Sequence, residues 1–202
     1  DDYYSNIGFY TPMVLSPNGQ HIYMARKDTV TGDNFLAIVD TTTGVVERVA
    51  FPRTAQLHMS PDNGHVYGLN TQGLAILDTT TNQVTTVDLP YSVYKTLTMR
   101  PDGAGVVVTT LEQLTTPTSY SSIFSANVID NDGTLTRYVL PGSVTTYVPA
   151  TISPDGTHFY VATYRAGVNG GASGANYLTV IDIPSDAAHD VAFAGDPRPK
   201  AA

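Results

Sequence analysis

The side chains with most chemistry to offer here are five histidines and a series of aspartates, and their spacing decides what they can do. His21, His65 and His158 recur at one position, just after a repeated Ser-Pro-Asn/Asp turn. Three imidazoles converging at bond lengths near about 2 Å would make a zinc site. Recurrence in successive units instead sets them about one unit apart, so no metal site is expected and the histidines are read as flanking the turn. Asp130-Asn131-Asp132-Gly133 opens like a calcium loop, but Thr134-Leu135-Thr136-Arg137 stands where the bidentate glutamate should follow. A polar hairpin turn accounts for it better. Serine hydrolysis needs a nucleophile, a histidine and an acid together; no nucleophile-elbow motif occurs, and His58 and His189 have no local partner. The glycine-rich stretch 166–175 lacks the strand-to-helix setting and the lysine of a phosphate loop. No catalytic residue and no cofactor are therefore expected.

Composition narrows the partners. Of 202 residues, 18 are acidic and 10 basic, giving a formal charge of −8, and the basic residues are scattered singly. Phosphate backbones demand clustered positive charge, which excludes a nucleic-acid groove. With no cysteine there is neither a disulfide framework nor a thiolate site. No apolar run approaches the roughly 20 residues of a membrane span, and Asp1-Asp2-Tyr3-Tyr4 lacks the basic and apolar regions of a signal peptide. Few lysines with abundant Thr, Ser, Gly and Tyr lean towards an extracytoplasmic setting: secreted, periplasmic or on the cell surface.

What must position these residues is a repeat. Met13 to Gly19, Leu57 to Gly64, Leu97 to Gly103 and Ala150 to Gly156 align on one turn, and each is followed by a short β-rich run. A second landmark is a strand ending in aspartate: Leu36 to Asp40, Leu74 to Asp78, Ala126 to Asp130 and Leu178 to Asp182. Polar turns such as Thr41-Thr42-Thr43-Gly44 come next, then a last alternating strand such as Val45 to Phe51. Pro supplies a fixed φ, Asp or Asn a side-chain bond to the backbone, and Gly the positive φ of a tight reversal. Val, Ile, Thr and Tyr favour the pleated surface between turns, and no window carries helical apolar spacing. Pro17, Pro61, Pro101 and Pro154 lie 44, 40 and 53 residues apart, the period of four-stranded blades. The expected fold is all-β: a β-propeller of four four-stranded antiparallel blades, about 13–54, 55–94, 95–147 and 148–194, with a lead-in at 1–12 and a tail at 195–202.

These units resemble the YVTN-type repeats of bacterial and archaeal surface-layer-like β-propellers. The similarity runs from residue 13 to 194. Ser153-Pro154-Asp155-Gly156-Thr157-His158-Phe159-Tyr160-Val161-Ala162 with Leu178-Thr179-Val180-Ile181-Asp182 is the closest copy. The third unit departs most, with Arg100 for serine and Val106-Val107-Val108 for the tyrosine strand. Related propellers serve as adhesins, surface-layer parts, lactonases and quinoprotein dehydrogenase subunits, so the resemblance implies the fold and leaves the function open. Propellers have about four to eight blades. Three arrangements follow: a piece of a longer propeller, which is favoured, half a ring completed by another chain, or a closed four-bladed ring. Asn6-Ile7-Gly8-Phe9 is read as the outer strand of a preceding blade.

In an up-and-down blade the proline turns and the threonine-rich turns share one face, and the remaining connections share the other. The latter vary in length: Lys27 to Asn34, Asn70 to Gly73, Leu111 to Ser122 and Arg165 to Asn176. Variable loops gathered on one face of a repeat protein mark a binding face, and Arg53, Tyr94, Glu112, Tyr120, Tyr147 and Arg165 are placed there. The expected function is a non-enzymatic extracytoplasmic binding or scaffold module contacting protein or a cell-wall glycan. Its rivals are a lactonase-like hydrolase, the non-catalytic subunit of a quinoprotein amine dehydrogenase, or a lattice component. Self-association, or a partner chain completing the ring, belongs to the same expectation.

Overall fold

Tight polar turns alternate with β-branched runs, and strands form wherever the turns allow. The computed structural model describes residues 12–90, 94–116, 119–140, 150–165 and 175–192, with backbone alone at 94–95, 113–116, 119–122, 163–165, 175–176 and 192. Blade one comprises β1 (Met13–Leu15), β2 (His21–Lys27), β3 (Asn34–Asp40) and β4 (Val46–Ala50). Blade two comprises β5 (Gln56–Met59), β6 (His65–Leu69), β7 (Gly73–Asp78) and β8 (Val84–Asp88). Blade three is β9 (Tyr94–Met99), β10 (Gly105–Thr116), β11 (Ser119–Asp130) and β12 (Leu135–Leu140). Blade four is β13 (Ala150–Ile152), β14 (His158–Arg165), β15 (Ala175–Asp182) and β16 (Ala187–Ala192). Each set forms its own antiparallel sheet in chain order, so the fold is the expected all-β propeller architecture of four-stranded blades. Among the described residues no helix is long and apolar enough to cross a membrane.

The chain divides into two compact units, Asp1–Leu89 and Pro90–Ala202. In the first, Tyr23, Leu36 and Ile38 of blade one pack with Leu57, Val66, Ala75 and Leu77 of blade two, and Phe51 closes the layer. In the second, Val107, Phe124, Ala126 and Val128 of blade three meet Phe159, Val161 and Ile181 of blade four. Alternate residues along a strand point to opposite faces, so each blade commits one apolar set to each side. The first strands of neighbouring blades, β1 with β5 and β9 with β13, also approach one another within each unit.

Blade three corrects one expectation. Leu111 to Ser122 is not an irregular connection: β10 runs on to Thr116 and β11 begins at Ser119, paired down to Thr116↔Ser119. Between Glu112 and Phe124 a run of Leu, Thr, Ser, Tyr and Ile is broken only by Gln113 and Pro117, so no turn residue stops the strands earlier. Among the described residues, β9 pairs with β10 as far as Leu111, and β12 with β11 as far as Phe124. Residues 112–116 and 119–123 pair with each other as a two-stranded ribbon that continues β10 and β11.

Candidate functional site

The two ends of each blade are built differently, and the difference locates the site. At the turn end the serine hydroxyl of the repeat accepts the amide of the histidine five residues on: Ser16 from His21 at 2.9 Å, Ser60 from His65 at 2.8 Å and Ser153 from His158 at 2.9 Å. The second turn is closed by its aspartate. Asp40 Oδ1 accepts the amides of Thr42 and Thr43 at 2.8 and 2.7 Å, and Asp78 Oδ1 those of Thr80 and Thr81 at 2.8 and 3.0 Å. These amide bonds hold both carboxyls below the usual carboxylate range. Thr41 and Thr79 then tie the turns together, donating to the carbonyls of Gly19 and Asn63, each at 2.7 Å. Strand register sets His21, His65 and His158 opposite Asp40, Asp78 and Asp182. Each histidine ring lies beside the tyrosine two residues on, with His21 and Tyr23 at 6.2 Å between centroids and the pairs in blades two and four at 6.3 Å. Among the described residues no group of three or more His, Asp or Glu is placed to hold a metal ion. Most polar groups at this end are bonded to one another, with His65 Nδ1 and Arg100 Nε buried without a hydrogen-bond partner.

The opposite end is uneven. In blade one, Asp28 Oδ1 accepts the amides of Val30 and Thr31 at 2.8 and 3.2 Å, forming a short loop that leaves Val30 92% exposed. Those bonds, and the Arg48 guanidinium 3.2 Å from Asp28 Oδ2, hold the carboxyl low. Arg48 also lies over the Phe35 ring, 4.6 Å from its centroid. Arg26, Lys27 and Arg48 with Asp28, Val30 and Phe35 line an open cleft, a local excess of positive charge in an acidic chain. Blade two has almost nothing here. Asn70 Oδ1 accepts the amides of Gln72 and Gly73 at 2.7 and 2.8 Å, and a Cβ on Gly73 would fall 2.2 Å from the Val87 carbonyl oxygen. Blade three has the ribbon. Blade four ends β14 at Arg165 and resumes at Ala175.

At the root of the ribbon lies a polar network on one face of blade three. Arg137 donates to Glu112 and, at 3.3 Å, to the Ser125 hydroxyl. Ser125 is 2.8 Å from the Thr110 hydroxyl, and Asn127 Nδ2 donates to Thr110 at 3.2 Å and to the Val108 carbonyl at 2.9 Å. Thr110, Ser125 and Asn127 are fully buried. The serine is engaged by arginine and carboxylate, and the set contains no imidazole, so it lacks the base that an activated nucleophile requires. Its bonds tie β10, β11 and β12 to one another at the root of the ribbon.

The sequence-derived candidates scatter over this end. Arg53 is exposed in the connection between β4 and β5, where its carbonyl accepts Asn70 Nδ2 at 2.9 Å. Tyr94, read as the last residue of the second unit, begins β9 instead. Glu112 and Tyr120 lie on strands rather than in a loop, and Arg165 ends β14. Tyr147, the strand proposed at 6–9 and most of the glycine-rich stretch lie outside the described residues. Glu112 is joined into a network through Arg137, Ser125 and Thr110, which the sequence reading missed. A signal was present: Asn127 occupies the repeat position of Ala37 in blade one and Ala75 in blade two.

No protein-family model matches this chain, and no curated protein does either. Solved structures do. The chain is similar to the acylaminoacyl peptidase of Pyrococcus horikoshii, with TM-score 0.57 and 10% identity over 90% of this chain and 32% of that one. It is similar to the β-propeller domain of the trilobed protease from Pyrococcus furiosus, at TM-score 0.53 and 14% identity, covering 92% and 56%. A prolyl endopeptidase matches at TM-score 0.51 and 16% identity, covering 92% and 30%. At such identities the likeness shows the propeller fold alone. The chain spans about a third to a half of the lengths of these proteins.

Proposed function

We propose that this chain is part of an extracytoplasmic, non-enzymatic β-propeller module of the YVTN kind, which binds a protein segment at the uneven end of its blades. The observation that carries this reading is the ribbon of blade three. Among the described residues no further strand pairs with it beyond Leu111 and Phe124, and a strand edge is a template for adding an extended peptide. The Glu112–Arg137 pair and the buried hydroxyls behind it hold the ribbon's root in place, which lowers the ordering cost of binding. The turn ends, closed by their own hydrogen bonds, offer a partner much less.

A glycan is the weaker alternative, because the Phe35 ring in the blade-one cleft is already covered by Arg48. Membership in an enzyme system is the second reading, supported by the likeness to the β-propeller domain of the trilobed protease. The test shortens the ribbon by replacing residues 113–122 with Asn-Gly, leaving the four-stranded sheet intact. Both proteins are assayed against an array of extended peptides and purified peptidoglycan sacculi. Peptide binding by the parent chain, lost in the shortened variant while the melting temperature holds, is the expected result. Binding that survives the deletion, or turnover of ester, lactone or peptide substrates by the purified chain, overturns the reading.

A further inference from the structure

The polar network of blade three is a chain of hydrogen bonds, and its members fix the direction in which it runs. Asn127 is fully buried, and its Nδ2 donates to the Val108 carbonyl at 2.9 Å and to the Thr110 hydroxyl at 3.2 Å. A carbonyl only accepts, so turning the carboxamide over would set two acceptors against each other; nitrogen belongs on this side. Thr110 has one neighbour among the described residues that accepts its proton, the Ser125 hydroxyl 2.8 Å away. Ser125 receives from Thr110 and from Arg137 Nε at 3.3 Å, and turns its own proton to Glu112 Oε1 at 3.5 Å. Every bond therefore points the same way, from Asn127 through Thr110 and Ser125 to Glu112.

Such a chain has an acceptor at each end. Glu112 is supplied by Ser125 and Arg137. Asn127 Oδ1, at the other end, is buried and has no donor. An acceptor in that position keeps the full cost of leaving water, and groups of this kind are the ones that internal water satisfies. A second contact for a water stands close by. Arg137 lies directly opposite Asn127 in the β11–β12 register, and opposite residues have Cβ atoms about 4.5–5.5 Å apart. Its guanidinium carries five N–H groups, of which Nε serves Ser125 and one on Nη2 serves Glu112. The same positive charge disfavours a metal ion here.

We infer that blade three binds one internal water at Asn127 Oδ1, held between the carboxamide, to which it donates, and the Arg137 guanidinium, from which it accepts. This water completes the network and joins β11 to β12 a second time, beside the Arg137–Ser125 bond. The site is particular to blade three. The same repeat position is Ala37 in blade one and Ala75 in blade two, which bring no acceptor, and Thr179 in blade four, whose hydroxyl donates to Asp190 at 2.7 Å.

A crystal structure of the 202-residue chain, at a resolution that shows ordered water, tests this directly. The expected result is a water peak about 2.7–3.2 Å from Asn127 Oδ1. In solution, magnetic relaxation dispersion of the water oxygen counts long-lived internal waters in the parent and in Asn127→Leu, which keeps a similar volume and removes the acceptor. The variant is expected to hold one fewer. A protein donor on Oδ1, Arg137 included, or a carboxamide turned over with no water beside it, overturns the inference. A count unchanged by the substitution overturns it as well. Should Asn127→Leu fail to fold, the crystal structure of the parent chain decides alone.

Discussion

Blades three and four are neighbours in one compact unit and solve the same turn in opposite ways. Blade four follows the repeat: Ser153 caps the His158 amide at 2.9 Å, and His158 Nε2 lies 3.6 Å from Asp182 Oδ2. Blade three replaces both partners at once. Arg100 stands for the serine and Gly105 for the histidine, and the Arg100 guanidinium reaches Asp102 at 2.8 Å and Asp130 at 3.0 Å. Gly105 lies at φ +156°, and a Cβ there would fall 2.2 Å from the Ile129 carbonyl oxygen. A permanently charged, forked donor thus joins the two turns where its neighbour uses a hydroxyl and an imidazole. The repeat specifies a geometry, and more than one set of groups can satisfy it.

The comparison breaks most severely at Gly105. Gly105→Ala, or Gly105→His to restore the repeat, is expected to cost about 3 kcal/mol, because backbone rather than a movable side chain is in the way; urea unfolding reads it. A cost below about 1 kcal/mol would mean that the strand can shift. Next come the caps. Arg100→Ala should cost about 2 kcal/mol, since it removes charge-assisted bonds from a side chain only 14% exposed. Arg100→Ser should cost about half of that, because the hydroxyl regains the cap used in the other blades, and Ser153→Ala about 1 kcal/mol. Equal losses for the two Arg100 variants would show that the cap is irrelevant in blade three.

The smallest effect is a titration. The Ser153 hydroxyl, then the Thr157 amide and hydroxyl, hold the Asp155 carboxyl down to about 2. Its folded value lies below the unfolded value of about 3.9, so its stabilisation is complete above that pH and is lost as pH falls towards about 2. Carboxyl-carbon NMR should find the midpoint near about 2 in the parent chain and raised in Ser153→Ala; an unmoved midpoint would remove the hydroxyl as the cause.

The strands following each proline turn, and those ending in Asp40, Asp78, Asp130 and Asp182, were legible because turn chemistry and β-branched runs are local properties. Much of the candidate site was not. Glu112 and Tyr120 were assigned to the uneven end, yet as loop residues, because the length of a connection does not reveal whether its two arms pair. Arg137 was invisible as a partner of Glu112, being 25 residues distant in sequence and brought close only by the β10–β11–β12 register.

By itself, then, the sequence determined the repeat, the turn types, the strand order within a blade and the all-β class, since each rests on contacts between residues close in the chain. Only the tertiary structure decided that β10 and β11 extend into a ribbon and that Arg100 bridges two carboxylates across from Gly105. Those depend on which faces and edges find a partner, and a hydrophobic pattern reads the same whether its partner is present or absent.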